Sequence, residues 1–298
     1  ERLGDVPLHS HGIFTNGIVY VDFAFDLHGL KPEEERLLPL LAHALTETGL
    51  PGMSYDELLQ QINMSSGGIG ASVAASATAH DPLRVRTMLN VRVKMLEERV
   101  DEALEIFQRV LLEPRFDDEG RLADLIQEIR NDLVSSVVPA GHSYAMTRAA
   151  RLLSAASAVD EQWHGIDQLR FMDELSREES AAGAGEQLLE LRRRLIQRNR
   201  LTINVTCDEG VRGSVSERLA TLASNLPTGE VSRVDVKSVS PRPAVKRPVR
   251  TEGVAVSSSV NYVATALPSS PLGSPEQAGE EVLAQLLRTG PLWERIRM

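Results

Sequence analysis

Histidine is the residue type in this sequence best suited to metal binding or proton transfer near neutral pH, and the chain has seven of them. His9 and His11 alternate along an extended run, so they could present two imidazoles to a metal from one side. A zinc site normally takes three or four protein ligands, and no third ligand is evident nearby. We therefore interpret His9-Ser10-His11 as a solvated loop before the first strand, with a metal site as the alternative.

The other nucleophilic or basic candidates have simple structural interpretations. His43 falls inside an apolar helical run, and His142 is interpreted as a helix-start or buried hydrogen-bonding residue. Cys207 follows a strand-like run beside Asp208, where a structural thiol is expected. No Gly-x-Ser-x-Gly elbow occurs in the sequence, although spacing alone leaves Ser-His-Asp catalysis open. Residue spacing thus predicts no catalytic centre.

Two further runs resemble ligand-binding motifs only superficially. Gly67-Gly68-Ile69-Gly70 precedes a strand instead of following one and lacks a Gly-Lys-Ser/Thr ending, so it predicts a strand entry. Arg192-Arg193-Arg194, with Arg198 and Arg200, alternates with leucines and predicts the polar face of an amphipathic helix. The formal net charge of −10 also argues against nucleic-acid binding, which depends on Lys and Arg neutralising phosphates.

Composition sets the broad class of the chain. Its 298 residues are 42% hydrophobic and 25% charged, enough for one large or two modest domains. The single cysteine cannot form an internal disulfide, which favours a reducing compartment. No apolar run reaches bilayer-spanning length, and no signal sequence opens the chain. Since neither end resembles a natural terminus, we expect a piece of a longer protein.

Hydrophobic periodicity predicts strands first and helices later. Residues 17–26 alternate as a strand, and a helix follows from Pro32 to a closing glycine at Gly49. Ser54 and Glu57 form a capping box for the next helix. The remaining strands are predicted at 69–79, 83–93 and 201–206, and the remaining helices from Leu96, after Pro114, and at 142–154, 166–177, 186–198 and 211–225. This segregation favours an α+β fold with a largely antiparallel sheet packed against helices.

The last part of the sequence repeats the opening pattern. A proline-rich stretch at 238–253 predicts a linker between a first domain, 1–237, and a second, similar unit that begins at 254–298. Residues 254–267 are predicted to form a strand, and Ser274 to cap a helix. Because this unit has one strand and one helix, we expect part of its apolar face to remain exposed and to favour self-association.

Three runs carry a resemblance to a known family. They are Phe14-Thr15-Asn16-Gly17-Ile18-Val19-Tyr20-Val21-Asp22-Phe23-Ala24-Phe25-Asp26, then Gly141-His142-Ser143-Tyr144-Ala145-Met146-Thr147-Arg148-Ala149, and Leu292-Trp293-Glu294-Arg295-Ile296-Arg297. These runs, in this order, resemble the third domain and the start of the fourth domain of presequence proteases, a subfamily of insulinase/pitrilysin-type zinc metallopeptidases. The resemblance covers almost the whole chain.

The resemblance implies that the zinc chemistry lies outside this segment. Members of the family have four related domains in two halves that close around an unfolded peptide, with zinc on a His-x-x-Glu-His helix of the first domain. Aligning the first helix here by Gly49 puts Leu40, His43 and Ala44 at the His, Glu and His positions. Neither that motif nor a substitute occurs in the sequence. We therefore expect no catalytic residue and no cofactor in this segment, and zinc only in the parent protein.

One residue is a candidate for substrate binding. Arg297 resembles the fourth-domain arginine that approaches the zinc-bound peptide in the family, whereas the companion tyrosine would fall beyond Met298. The expected function is a non-catalytic, substrate-enclosing part of a zinc metalloendopeptidase for unstructured, presequence-like peptides. The alternative is a non-peptidase scaffold of the same architecture. Expected partners are the N-terminal catalytic half and unfolded peptides, without nucleic acid or membrane, in a bacterial cytoplasm or an organelle matrix.

Overall fold

The structure, a computed structural model, describes residues 1–78, 81–177, 183–234, 251–271 and 273–297, with the side chains of residues 82, 296 and 297 left out. Its centre is a six-stranded sheet in the order β1-β2-β6-β3-β5-β4. All neighbouring strands are antiparallel except β2 and β6, which are parallel. The strands are β1 Arg2–Leu3, β2 Val6–Gly12, β3 Ile18–Asp26, β4 Ile69–Thr78, β5 Asp81–Leu96 and β6 Leu201–Cys207. The predicted α+β class with a largely antiparallel sheet is confirmed.

The described helices follow in chain order. They are α1 Pro32–Glu35, α2 Leu38–Glu47, α3 Tyr55–Ser65, α4 Val100–Leu112, α5 Glu119–Ser136, α6 Gly141–Ala150, α7 Ala155–His164, α8 Ile166–Leu175, α9 Ala184–Leu195, α10 Arg212–Asn225, α11 Pro275–Thr289 and α12 Pro291–Arg297. The sequence analysis missed α7, although Ser154 caps it and Val159 and Trp163 fall one turn apart on its buried side. The helix predicted from Leu96 begins instead at Val100, since Leu96 ends β5.

The core lies between the helices and one face of the sheet. Alternate residues of the central strands, such as Val21, Phe23 and Leu89, are completely buried there. The rings of Phe23 on β3 and Phe107 on α4 meet edge to face at 5.1 Å, which ties the sheet to its helical layer. Period-two strands and 3.6-residue helices thus bury the apolar faces that the sequence patterns predict.

The helix predicted from Pro32 to Gly49 is interrupted between α1 and α2. Pro39, the second residue of α2, has no N–H to donate to the carbonyl of Glu35, and its ring disfavours a continuous helix. The indole Nε1 of Trp163 donates to that carbonyl at 2.9 Å. A buried side chain from α7 therefore occupies the acceptor that the proline leaves open. Gly49 ends the region with a left-handed φ of +84°, as its predicted closing role requires.

Two sequence predictions about extended segments are wrong. Residues 9–11 do not form a solvated loop but belong to β2, whose residues Val6 and Leu8 enter the core while His9 and His11 are exposed. Residues 254–267 show alternating exposure, yet they form no strand. A strand needs a neighbour for its N–H and C=O groups, and no strand within the described residues pairs with this segment.

The segment at 251–267, here called the strap, is extended chain that precedes α11. Ser274 caps α11 by accepting from the backbone N–H of Gln277, as predicted. The linker predicted at 238–253 lies mostly outside the described residues, so the domain division at 1–237 and 254–298 stays a prediction. Across the described ranges, no helix combines the length and apolar composition needed to cross a bilayer.

Candidate functional site

Five strands of the sheet direct a second set of side chains away from the core, forming what we call the open face. The members of this set are exposed or half-buried. They are His9 and His11 on β2, Thr202, Asn204 and Thr206 on β6, Tyr20, Asp22 and Ala24 on β3, Met88, Asn90, Arg92 and Lys94 on β5, and Gly70, Ser72, Ala74 and Ser76 on β4. Strand alternation separates this polar set from the buried aliphatic one.

A row of paired positions crosses the middle of the open face. Strand register aligns His9, Asn204, Asp22, Arg92 and Gly70 across five strands. Asn204 Nδ2 donates to Asp22 Oδ2 at 3.0 Å, and Arg92 Nε donates to Asp22 Oδ1. The carboxylate thus accepts from both neighbouring strands, and its hydrogen bond raises the pKa of Arg92.

The open face has the chemistry of a binding surface. The Arg92 side chain is 70% exposed, so donors beyond its bond to Asp22 remain accessible. On β4, Gly70, Ser72 and Ala74 are small and exposed, which leaves room for another chain to approach the sheet closely. Hydroxyl and amide groups on β5 and β6 add neutral donors and acceptors. This arrangement suits hydrogen bonding to a polar, extended ligand.

The histidines of β2 do not meet further metal ligands. In the parallel register, His9 lies opposite Asn204 and His11 opposite Thr206, and neither neighbour is a typical zinc ligand. Within the part of the chain that the structure describes, no three His, Cys, Asp or Glu side chains group closely enough to hold a metal ion. The residues present here therefore do not fit zinc.

The α2 positions aligned with the family's zinc motif are built for packing. Leu40 and Ala44 are fully buried in the core. His43 is half exposed, and its Nδ1 lies 3.0 Å from Oε1 of Glu47 one turn along the helix. Apolar side chains thus stand at both aligned ligand positions, and the histidine between them contacts a surface carboxylate.

Two other sequence candidates form local structure. His142 is exposed in the first turn of α6, which confirms its predicted place at a helix start. Gly67 and Gly68 pair with Lys94 as β4 begins, and Gly68 has a φ of +117° that favours glycine. The glycine run is therefore a strand entry, as predicted.

Cys207 and Asp208 end β6 and organise the turn that leads into β3. Cys207 is fully buried, and burial raises the pKa of its thiol. Asp208 accepts from the backbone N–H groups of Thr15 at 3.0 Å and Gly17 at 2.8 Å, and these bonds lower the pKa of its carboxyl. Both residues have structural roles, in agreement with the prediction for the thiol.

The arginine run is only partly a solvated helix face. Leu188, Leu191 and Leu195 of α9 are buried, and Arg194 pairs with Glu34, as expected for an amphipathic helix. Arg200 departs from that prediction because it is only 3% exposed. Its Nη1 donates to the carbonyl oxygens of Asp26 at 2.8 Å and His28 at 3.0 Å. Tertiary contacts at the end of β3 therefore enclose it.

Sequence reasoning missed a buried ion-pair cluster around Arg148. Arg148 Nη1 donates to Glu161 at 2.8 Å and to Asp167 at 2.7 Å. Its Nε and Nη2 atoms grip the carboxylate of Glu252 in the strap at 3.1 and 2.8 Å, and Arg151 donates to the same carboxylate at 2.7 Å. The sequence signal was weak, because these acids lie 13 to 104 residues from Arg148.

The predicted substrate-binding residue Arg297 is the last residue of α12. Its side chain lies outside the described atoms, so its role stays a prediction. The described part of its helix is exposed, including Leu292 and Trp293, and so is the preceding α11.

Comparison with known proteins assigns the chain to a family. Residues 1–175 match the family described as associated with the peptidases of group M16, subgroup C. The chain belongs to that family. This peptidase-associated chain is 28% identical over 302 residues to presequence protease 1, chloroplastic/mitochondrial, of Arabidopsis thaliana, an alignment that covers 99% of the chain but 27% of the plant protein. It is 23% identical to protein HypA of Clostridium perfringens, with 99% of the chain and 30% of HypA covered.

Solved structures agree on the fold. The inactive M16 peptidase domain from Pseudomonas fluorescens superposes with a TM-score of 0.50 and 14% identity over 78% of this chain and 50% of that one. The periplasmic protease PqqL from Escherichia coli gives a TM-score of 0.53 and 14% identity over 80% and 25% of the two chains. The peptidase-associated chain spans less than a third of its curated relatives just described, so the activity of any larger protein is a matter of proposal.

Proposed function

We propose that this chain is the non-catalytic, substrate-enclosing part of a zinc metalloendopeptidase that degrades unstructured, presequence-like peptides. Its proposed partners are the N-terminal catalytic half of the same protein and the unfolded peptide. Family membership and the similarity to presequence proteases support the peptidase context. The absence of a zinc-binding motif from the sequence supports a non-catalytic role.

The open face is the observation that carries the proposal. It combines exposed small side chains on β4 with the hydrogen-bonded row through Asp22, and its mixed donors and acceptors do not require one particular side chain in the ligand. A surface of that kind suits an extended peptide whose main chain supplies most of the hydrogen bonds. The net charge of −10 further favours encounter with basic peptides.

The chemistry in this proposal comes from zinc in the catalytic half, where it would activate water. The present chain contributes a wall that holds the peptide, and Arg297 is the residue proposed to contact the substrate. Because His43, Leu40 and Ala44 do not form a ligand set, no catalytic step is assigned to the chain itself.

A binding experiment tests the proposal on the 298-residue chain. A fluorescently labelled, basic, unfolded peptide is titrated with wild-type chain and with Ser72→Trp, which places a bulky ring on the open face. We expect Ser72→Trp to weaken binding by about tenfold. The matched control is Ser224→Trp on an exposed site of α10, which should bind as wild type does.

A cleavage assay with the same peptide completes the test. We expect no turnover by the chain alone, with or without added zinc or a chelator. Chelator-sensitive turnover would contradict a non-catalytic role and would direct mutagenesis to His9, His11 and His43. Absence of peptide binding would instead favour the scaffold alternative.

A further inference from the structure

One corner of the sheet gathers arginines in a chain that is acidic overall. Arg2 on β1 and Arg233, which follows α10, both donate from Nη2 to the carbonyl oxygen of Asp5, at 2.7 and 3.1 Å. Because both nitrogens bond to one oxygen, they lie no more than about 6 Å apart. Two guanidinium groups thus converge on one neutral acceptor, a pair we call the arginine corner.

The positive charge of the arginine corner lacks a direct counter-ion. Within the described residues, neither Arg2 nor Arg233 forms an ion pair with a carboxylate, whereas the Asp5 carboxylate lies 3.4 Å from Nε of Arg198. Asp26, the other nearby acid, accepts from the backbone N–H groups of His28 at 2.8 Å and Val234 at 3.2 Å. These acids moderate the local charge, but each contacts other donors.

A third cation lies beneath the arginine corner. Arg200 is buried and donates Nη1 only to carbonyl oxygens, and its Nε has no hydrogen-bond partner among the described residues. Arg233 Nη1 donates to the carbonyl of Leu201, the residue after Arg200. Burial and the proximity of Arg2 both lower the pKa of Arg233, as expected where like charges are close. The site therefore favours the arrival of an anion.

The arginine corner adjoins the open face. Arg2 pairs with Pro7 in the β1–β2 ladder, and directly opposed residues in an antiparallel pair project to the same side. Pro7 and His9 are two residues apart on β2, so they share that side. Arg2, Pro7 and His9 therefore line one continuous edge of the surface proposed to hold peptide.

We propose that the arginine corner binds a carboxylate of the peptide that lies on the open face. This inference rests on the proposed function and adds an anchoring group to it. Guanidinium groups form strong, charge-assisted hydrogen bonds with planar carboxylates and can grip both oxygens. The carboxylate is either the C-terminus of the peptide or an acidic side chain near its end.

Matched peptides and variants test the arginine corner. One unfolded peptide is made as the free acid, as the C-terminal amide, and as the amide with a glutamate as its last residue. We expect the wild-type chain to bind the free acid about tenfold more tightly than the plain amide. Arg2→Gln and Arg233→Gln should each reduce that ratio towards one, while Arg2→Lys should retain part of it.

Arg218→Gln is the control, since Arg218 pairs with Asp101 between α10 and α4, and it should leave the ratio unchanged. Tight binding of the glutamate-ended amide would assign recognition to any terminal carboxylate, and weak binding would assign it to the C-terminus. Equal, measurable affinity for all three peptides would overturn the arginine corner while leaving the proposed function standing. No binding of any peptide would refute both. Competition by inorganic phosphate without a free-acid preference would show a site for inorganic anions and overturn the assignment.

Discussion

The aromatic ring of Tyr262 in the strap packs against Gly141 at the start of α6. A Cβ added at Gly141 would overlap the Cδ2 and Cε2 atoms of the ring, so only glycine fits beneath it. The Tyr262 hydroxyl also donates to the carbonyl of Val138. At the other end of α6, Glu252 is held by Arg148 and Arg151. The two contacts fasten the strap along one helix.

Gly141→Ala should detach the Tyr262 end of the strap. The new methyl group must displace the ring, although alanine favours a helix by about 0.5–1 kcal/mol relative to glycine. We expect chymotrypsin to cleave after Tyr262 several times faster than in the wild type. Gly279→Ala in α11 is the matched control, because no atom lies within 4 Å of its added Cβ and the cleavage rate should not change. An unchanged rate in Gly141→Ala would contradict the packing.

The Glu252 clamp should weaken in acid. Hydrogen bonds from Arg148 lower the pKa of Glu252 from 4.5 to about 2. A lowered carboxyl pKa stabilises the clamped form above pH 4.5, and this stabilisation is lost as the pH falls towards 2. We expect Glu252→Gln to lower the thermal midpoint at about pH 6 and to approach the wild type by about pH 3. A constant difference in midpoint across this range would mean that Glu252 does not titrate with the clamp.

The exposed face of α11 should promote self-association. Val282, Leu283 and Leu286 follow helical spacing and are 62%, 54% and 62% exposed, and no residue of the helix is buried. Light scattering should show an apparent mass that rises with concentration, and Leu286→Glu should reduce that rise. Leu59→Glu, at an exposed site on α3, is the control and should not reduce it. A strictly monomeric wild type would contradict the prediction.

Arg297 should affect peptide cleavage by the complete protease. If it contacts the substrate, Arg297→Ala should lower kcat/KM by about tenfold or more, because a charged contact is lost, while zinc content stays unchanged. Arg295→Ala, two residues earlier on an exposed site of α12, is the matched control and should have little effect. Equal losses in both variants would indicate a general disturbance of the helix.

Local patterns explain what the sequence by itself determined. The alternation in β3, the Ser54–Glu57 capping box of α3, and the buried stripe of α4 each depend on residues a few positions apart. Their physical causes are strand and helix periodicity and the pairing of terminal N–H groups, which are encoded in short windows. The order of these elements along the chain was enough to predict the fold class.

Only the tertiary structure decided how distant residues meet. The parallel pairing of β2 with β6 joins segments about 195 residues apart, and it converts a predicted loop with His9 and His11 into one edge of the open face. The same folding encloses Arg200, brings Arg2 beside Arg233, and joins Arg148 to the strap. Conversely, residues 254–267 have a strand-like pattern but form no strand, because backbone hydrogen bonds in a sheet require a partner that local sequence cannot specify.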